Sequence, residues 1–210
     1  MLYTNYIKMK GILLNNFGFL ESQIPESLFT SLKKECIFAE KNNKKFISHI
    51  QGPYQPLHYQ VMENYTILKK YILNLTSLYD KIFPEIHNVK LFTNDLPLTT
   101  SPFWINYQKK YEFLPNHNHD GVLSFVIWVN IPYENENESN NNKYSKAGCF
   151  EFTYLNIFGK FFNHSIKLSK KDSGKIIMFP SLLQHCVYPF FTSNEVRISI
   201  SGNVIFNSEK

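Results

Sequence analysis

Residues 116–129 read Asn-His-Asn-His-Asp-Gly-Val-Leu-Ser-Phe-Val-Ile-Trp-Val, a polar turn with two histidines that leads directly into an apolar run. Side chains of a strand alternate between its two faces, so His117 and His119 are expected to point the same way. The odd-numbered apolar residues within 123–129 are expected to lie on the same face of the strand as the two histidines, and this apolar face must be buried. The stretch therefore predicts a buried strand with a pair of imidazoles at one end, which is half of a metal site.

A second motif, further along the chain, supplies a third histidine. Residues 174–185 read Gly-Lys-Ile-Ile-Met-Phe-Pro-Ser-Leu-Leu-Gln-His, an apolar strand followed by a Pro-Ser turn and a histidine on the next strand. In a jelly roll, a strand late in the chain lies beside an early one, so His185 can reach the first pair. The two motifs together predict one metal site formed by His117, His119 and His185.

The third ligand of this site has two candidates, His119 and Asp120. Strand alternation favours His119, since Asp120 should face away from His117. A bulge at Gly121 would instead turn Asp120 inward, and a carboxylate would lower the net charge of a divalent metal ion. We predict that His119 is the ligand and that Asp120 orients a ligand from behind, with Asp120 as the alternative.

The rest of the chain predicts a mainly β fold with N-terminal helices. Apolar residues spaced three or four apart predict helices over about 25–42 and 59–79. From Val89 onward, short apolar or alternating runs separated by turn residues are typical of strands. The expected fold is a double-stranded β-helix, a jelly roll of the cupin-like kind. The predicted strands are 89–93, 102–108, 121–131, 148–155, 163–168, 174–179, 184–190 and 196–206.

The chain is expected to form a single domain over residues 1–210. Within it, 1–88 would provide helical support and 89–206 would form the jelly-roll catalytic core. Residues 134–143 are acidic, rich in Asn and of low complexity, so we predict an exposed loop that supplies no ligand.

Composition limits the class of function. The net charge of +5 comes from dispersed lysines, with no clear nucleic-acid signature. The three cysteines, Cys36, Cys149 and Cys186, have no CxxC spacing, which indicates a reducing compartment. No apolar run approaches the ~20 residues of a membrane span, so no membrane association is expected. The expected location is the cytoplasm of the producing or host cell.

Arg197 is the only arginine among the 22 basic residues. It lies in the run Val196-Arg-Ile-Ser-Ile-Ser201, in which even positions are apolar and odd positions are polar. A planar guanidinium binds a carboxylate through two parallel hydrogen bonds, which lysine cannot do. The single arginine, placed shortly after His185, therefore predicts a carboxylate-binding residue near the metal site.

Taken together and in order, these motifs resemble the iron(II)- and 2-oxoglutarate-dependent oxygenase superfamily. The resemblance is to its prolyl-hydroxylase-like branch, which includes bacterial and phage members, and it covers roughly residues 100–206. The matching pieces are Tyr107, His117-Asn-His119, Leu123-Ser124, Gly174 through Phe179-Pro180-Ser181, His185-Cys-Val187 and Arg197-Ile-Ser199.

The resemblance implies specific roles and two cofactors, Fe(II) and 2-oxoglutarate. It implies that His117 and His185 bind the metal. It implies that Arg197, with Ser199 beside it, pairs with the distal carboxylate of 2-oxoglutarate, and that Tyr107 contacts this cosubstrate. The implied activity is hydroxylation of a substrate, a small molecule or a peptide, with release of succinate and CO2.

The chain departs from the family pattern at His119, where the usual motif has an acidic residue. Two alternatives therefore stand beside the oxygenase hypothesis. One is a three-histidine, cupin-like metalloprotein that does not use 2-oxoglutarate. The other is a catalytically silent jelly roll with a binding or structural role. The sequence favours no oligomeric state.

Overall fold

The computed structural model describes residues 18–42, 57–84, 97–141 and 146–207. The helices in these ranges are α1 (Glu26–Asn42), α2 (Tyr65–Ile82), α3 (Asn135–Asn141) and a short 3-10 helix (Lys170–Asp172). The strands are β1 (Leu20–Gln23), β2 (Leu57–Gln60), β3 (Leu98–Thr100), β4 (Trp104–Gln108), β5 (Leu114–His117), β6 (Leu123–Asn130), β7 (Phe150–Leu155), β8 (Phe161–Ile166), β9 (Lys175–Pro180), β10 (Gln184–Val187) and β11 (Arg197–Phe206).

The strands form two antiparallel sheets that pack face to face. The larger sheet has the order β1-β9-β6-β11-β4-β2, with β3 also pairing with β11. The smaller sheet has the order β5-β10-β7-β8. Neighbours in space are thus distant in sequence, as in a jelly roll. The predicted fold, a mainly β double-stranded β-helix with N-terminal helices, is confirmed.

Strand β6 is buried on both faces, which explains its continuous apolar sequence. Its odd positions, such as Phe125 and Ile127, belong to a core that the larger sheet shares with α1 and α2. Its even positions, Val126 and Trp128, belong to a second core between the two sheets. The larger sheet therefore separates a helix-facing side from a side that faces the smaller sheet.

The N-terminal helices cover the first of these cores. Leu32 of α1 and Leu68 and Ile72 of α2 are fully buried there. The first helix agrees with the predicted 25–42, whereas the second begins later than predicted, because 57–60 forms β2 and pairs with β4. None of the described helices is both long and apolar enough to cross a membrane.

The N-terminal part also contributes strands to the larger sheet, and not only helical support. Strand β1 pairs with β9, and β2 pairs with β4 at the opposite edge. The predicted strand at 89–93 lies outside the described residues. Four of the strands, β1, β2, β3 and β5, were not among those predicted; β5 contains Pro115, which argues against a strand.

The prediction of an exposed loop at 134–143 is corrected over residues 135–141, which form α3. Glu138 of α3 is fully buried. Its carboxylate accepts hydrogen bonds from the backbone N–H of Phe191, at 2.7 Å, and from the N–H and hydroxyl of Thr192. A buried carboxylate that holds three donors ties α3 to the segment before β11.

We expect Glu138→Gln to lower the free energy of unfolding by about 1–3 kcal/mol, because an amide cannot accept all three hydrogen bonds. Urea denaturation measures the change. Glu136→Gln on the same helix is the matched control, since Glu136 is exposed and should change stability by less than about 0.5 kcal/mol. Equal stability of the two variants would contradict a structural role for Glu138.

Candidate metal centre

Two neighbouring strands bring His117 and His185 together. His117 ends β5 and His185 lies on β10, and the two residues are direct cross-strand partners in the smaller sheet. Their ring centroids are 4.2 Å apart. Residues directly opposite each other in an antiparallel pair place their side chains on the same face. The pairing of β5 with β10 thus creates the first half of the site.

His119 reaches the same place from a turn. It lies beyond the end of β5, and its backbone N–H donates to the carbonyl oxygen of Ser181 at 2.9 Å. Its ring centroid is 5.0 Å from that of His117 and 5.1 Å from that of His185. The turn continues through Gly121, at φ 116°, where an added Cβ would lie 2.8 Å from a backbone oxygen of β11.

The three histidines form a group that could hold a metal ion. One nitrogen from each ring lies within 4.8 Å of the nitrogens of the other two. Asp120 is exposed, at the rim of the same cavity, and its carboxylate is outside this group. The structure therefore gathers His117, His119 and His185 and leaves Asp120 at the side, which is the arrangement that strand alternation favoured.

Backbone carbonyl groups orient two of the imidazoles. The Nδ1 atom of His117 lies 2.8 Å from the oxygen of Pro115, and Nδ1 of His185 lies 2.8 Å from the oxygen of Leu183. A carbonyl oxygen can only accept, so Nδ1 carries the proton and Nε2 keeps its lone pair for a ligand. Such contacts behind a metal-binding histidine fix its tautomer and its direction.

Burial keeps the three rings neutral. It lowers the pKa of His185 to about 3 and that of His119 to about 4, and it also lowers the pKa of His117. Repulsion between neighbouring imidazolium charges acts in the same direction for His119 and His185. The aromatic ring of Phe150 stacks on the imidazole of His185, with the ring centroids 5.4 Å apart. Neutral imidazole is the form that binds a metal ion.

The three histidines lie in the wall of a cavity of about 530 Å³. Polar side chains from β4 and β11 line one part of this wall, and aromatic side chains line another. Asn106 donates through Nδ2 to the hydroxyl oxygens of Ser199 and Ser201, each at 3.1 Å. The aromatic residues of the wall include Trp104, Trp128, Phe150 and Phe179.

Arg197 lines the same cavity, and its side chain is almost entirely buried. All five of its N–H donors are engaged by neutral acceptors. Nε and Nη2 donate to the amide oxygen of Gln108, and Nη2 also donates to the carbonyl oxygen of Tyr188. Nη1 donates to the hydroxyl oxygen of Tyr133 and to the carbonyl oxygen of Gly148. Among the described residues, no carboxylate forms an ion pair with it.

Of the two residues predicted to lie near the cosubstrate beside Arg197, one lines the cavity and the other does not. Ser199 lines the cavity, as expected for a neighbour of Arg197. Tyr107 does not: its hydroxyl donates to the carbonyl oxygen of Cys36 in α1, and its ring packs on the helix-facing core. This placement corrects the expectation that Tyr107 contacts the cosubstrate, because alternation along β4 turns Asn106 and Gln108 toward the cavity instead.

Sequence reasoning missed several residues of the cavity wall. Asn106 and Gln108 carry a usable signal, since polar side chains at alternate positions of a strand predict a polar face. His58 carried none, because it lies just before the predicted second helix. It is buried in the wall, its Nε2 has no hydrogen-bond partner among the described residues, and burial lowers its pKa to about 4.

Comparison with known proteins agrees with this geometry. Residues 102–203 match a family described as "Putative 2OG-Fe(II) oxygenase". Members of this family use Fe(II) and 2-oxoglutarate. No curated protein sequence matches the chain.

Solved structures share the fold at low sequence identity. A prolyl-4-hydroxylase from Pseudomonas putida is 14% identical, with a TM-score of 0.61 over 91% of this chain and 94% of that one. A prolyl hydroxylase from Trichoplax adhaerens, solved with a hypoxia inducible factor peptide, is 12% identical, with a TM-score of 0.51 over 90% and 84%. HygX from Streptomyces hygroscopicus, solved with iron bound, is 11% identical, with a TM-score of 0.51 over 91% and 83%.

At these identities the structural likeness shows the fold, and the family match covers the three histidines and Arg197. The resemblance found in the sequence is thereby confirmed: residues 102–203 match the 2OG-Fe(II) oxygenase family model, and the similar structures share the fold.

Proposed function

We propose that the chain is an iron(II)- and 2-oxoglutarate-dependent hydroxylase whose metal is held by His117, His119 and His185. One observation carries the proposal: three neutral imidazoles and a buried arginine, which has no carboxylate partner in the described part of the chain, line a single cavity. A metal cation and a guanidinium in one cavity suit a dianionic 2-oxo acid.

The donor set fits Fe(II). Imidazole nitrogen is a common ligand of this metal, and three protein ligands leave other coordination positions for a bidentate 2-oxo acid. Three neutral ligands leave the full +2 charge on the ion. A dianionic cosubstrate offsets that charge, so the change from an acidic residue to His119 is compatible with 2-oxoglutarate chemistry.

The buried Arg197 also favours an anionic ligand. Burying a charged group is costly unless an opposite charge compensates it. Neutral acceptors satisfy the hydrogen bonds of Arg197, and among the described residues no carboxylate forms an ion pair with it. A carboxylate bound in the cavity would supply the missing counter-charge.

In this family Fe(II), 2-oxoglutarate and dioxygen supply the oxidation: one oxygen atom enters a substrate C–H bond, the other enters succinate, and CO2 leaves. The chain's own residues hold and orient the components. The histidines hold the metal, Arg197 orients the cosubstrate, and the aromatic wall with Trp128 and Phe179 excludes water. The substrate would be a small molecule or a peptide segment that reaches the cavity.

A three-histidine metalloprotein that does not use 2-oxoglutarate is the second candidate. Two observations favour it: no carboxylate of the described residues joins the metal-binding group, and protein acceptors engage all the N–H groups of Arg197. Anaerobic titration of the Fe(II)-loaded protein with 2-oxoglutarate separates the two. The visible charge-transfer band of the chelate is expected for the oxygenase and not for the alternative. Succinate formation under air then tests turnover.

We expect that replacing His117, His119 or His185 with Ala removes most bound Fe(II), because each supplies one of the three clustered nitrogens. Metal stoichiometry after anaerobic loading and desalting measures this loss, and circular dichroism confirms that each variant is folded.

Asp120→Ala is the matched control for the third ligand, since it removes the neighbouring acid without touching the cluster. It should keep Fe(II) close to the wild-type stoichiometry. Loss of Fe(II) in Asp120→Ala with retention in His119→Ala would show that the carboxylate is the ligand and that the turn rearranges around the metal.

We expect Arg197→Met to weaken 2-oxoglutarate binding by about 2–5 kcal/mol, the usual range for truncating one partner of a buried charged pair. Arg197→Lys should restore only part of it, because an ammonium group cannot form two parallel hydrogen bonds. The charge-transfer titration measures the affinity, and Fe(II) stoichiometry in the same samples shows that the metal site is intact. Unchanged affinity in Arg197→Met would favour the second candidate.

A further inference from the structure

Gln108 caps the edge of the Arg197 guanidinium that Nε and Nη2 form, and both residues line the cavity. Gln108 lies on β4, directly opposite Arg197 on β11. Its single amide oxygen accepts from both Nε and Nη2, at 3.1 Å for Nε. Its Nε2 donates to the carbonyl oxygen of Glu112, which fixes the amide with its oxygen toward the guanidinium. The side chain of Gln108 is only 4% exposed.

The other acceptors of Arg197 lie behind the cavity wall. Gln108 and Arg197 line the cavity, whereas Tyr133, Gly148 and Tyr188 do not. The two backbone carbonyl groups belong to a hydrogen-bonded part of the chain, where the N–H of Gly148 donates to Pro189 at 2.8 Å. Tyr133 is 2% exposed and stacks on an aromatic neighbour. Gln108 is therefore the one acceptor among these four that is both a side chain and part of the cavity wall.

The edge formed by Nε and Nη2 is one that a carboxylate occupies in a bidentate pair. A ligand carboxylate can take this edge only if the amide oxygen of Gln108 leaves it, because none of the five N–H donors is free. The exchange replaces a neutral acceptor by a charged one, and charge-assisted hydrogen bonds are about twice as strong. The neutral amide thus keeps the guanidinium satisfied until an anion arrives.

We propose that Gln108 is a specificity-determining residue for the cosubstrate. The amide oxygen of Gln108 occupies the position at Arg197 that the distal carboxylate of a 2-oxo dicarboxylic acid takes when it binds. The inference rests on the proposed function, since it assigns a partner to the same arginine. A 2-oxo acid without a distal carboxylate has nothing with which to displace Gln108. The displacement therefore selects for the dicarboxylic acid.

Two substitutions separate this role from simple support of Arg197. Gln108→Glu puts a permanent carboxylate on the guanidinium, so the internal ion pair should exclude the distal carboxylate of the ligand. Gln108→Ala removes the competing acceptor and leaves the edge open. The ligands are 2-oxoglutarate and 2-oxopentanoate, which has the same chain length and lacks the distal carboxylate. Both are titrated anaerobically into the full-length Fe(II)-loaded protein.

We expect Gln108→Glu to weaken 2-oxoglutarate binding on the order of 100-fold, as for loss of a buried charged pair. Binding of 2-oxopentanoate should stay within about twofold of wild type, a difference well below the tenfold that 1.4 kcal/mol represents. Gln108→Ala should bind 2-oxoglutarate about threefold to tenfold more tightly, the range of one neutral hydrogen bond.

Gln23→Glu on β1 is the matched control. Gln23 also donates through Nε2 to a backbone carbonyl oxygen, that of Ser173 at 2.7 Å, and it does not line the cavity. The substitution makes the same chemical change and adds the same charge. It should leave the affinity for both ligands unchanged. Circular dichroism and thermal unfolding establish that all three variants are folded.

The possible outcomes separate the two proposals. Wild type that binds 2-oxoglutarate, with equal or weaker binding in Gln108→Ala, would overturn the inference and leave the oxygenase proposal standing. So would an equal loss of both ligands in Gln108→Glu, or an effect of the same size in Gln23→Glu. Wild type that holds Fe(II) but binds neither 2-oxo acid would overturn the proposed function, and the inference with it.

Discussion

The site depends on the pairing of β5 with β10, because that pairing sets His117 directly opposite His185. A strand alternates its side chains, so a shift of one residue in this register would turn His185 to the other face and dismantle the site. Strand β10 is held on its other side by four consecutive residue pairs with β7. The smaller sheet thus fixes the histidines from both sides before any metal binds.

The charges around the cavity explain how the remaining wall is built. Burial keeps the imidazoles neutral, so among the described residues the only fixed charge that is buried in the wall is the guanidinium of Arg197. With His119 in the position where the family usually has an acid, a bound divalent ion would add its full charge to that of the arginine. This site therefore requires an anionic ligand more strongly than a metal site in which a carboxylate side chain binds the ion. A neutral residue such as Gln108 can cap the arginine without removing this requirement.

Much of the fold followed from the sequence, but the reasons for individual placements did not. The histidine turn, the apolar run after it and the late histidine predicted the jelly roll and the three clustered residues. However, strand alternation, the reason given for the inward direction of His119, does not apply there. The strand ends at His117, and a hydrogen bond to Ser181, not strand alternation, brings His119 inward. The odd positions of β6, expected to share the face of the histidines, face the helices.

The placements that sequence reasoning could not reach are those decided by register between distant strands. Nothing local to Tyr107 shows that it pairs with Ile198 on the helix-facing side, or that Gln108 pairs with Arg197 on the cavity side. The same holds for Glu138, whose partners lie far along the chain. Polar alternation in β4 and β11 was readable, but which face would meet the helices depended on the whole sheet.

The two faces of the larger sheet have different roles: one packs in an apolar core that stabilises the fold, and the other forms the polar wall of the cavity. On the helix-facing side, Ile105 and Ile200 are fully buried in an apolar core. That core lets the opposite face carry hydroxyl, amide and guanidinium groups, which would be costly if they lacked partners. Most of them satisfy one another, as Asn106 does with Ser199. A polar wall whose groups are already paired costs little to fold, and it admits a ligand only when that ligand offers better partners than the wall does. Under the proposed function, the cavity would discriminate between ligands by exchange of hydrogen bonds, and the charge of the ligand would decide the exchange at Arg197.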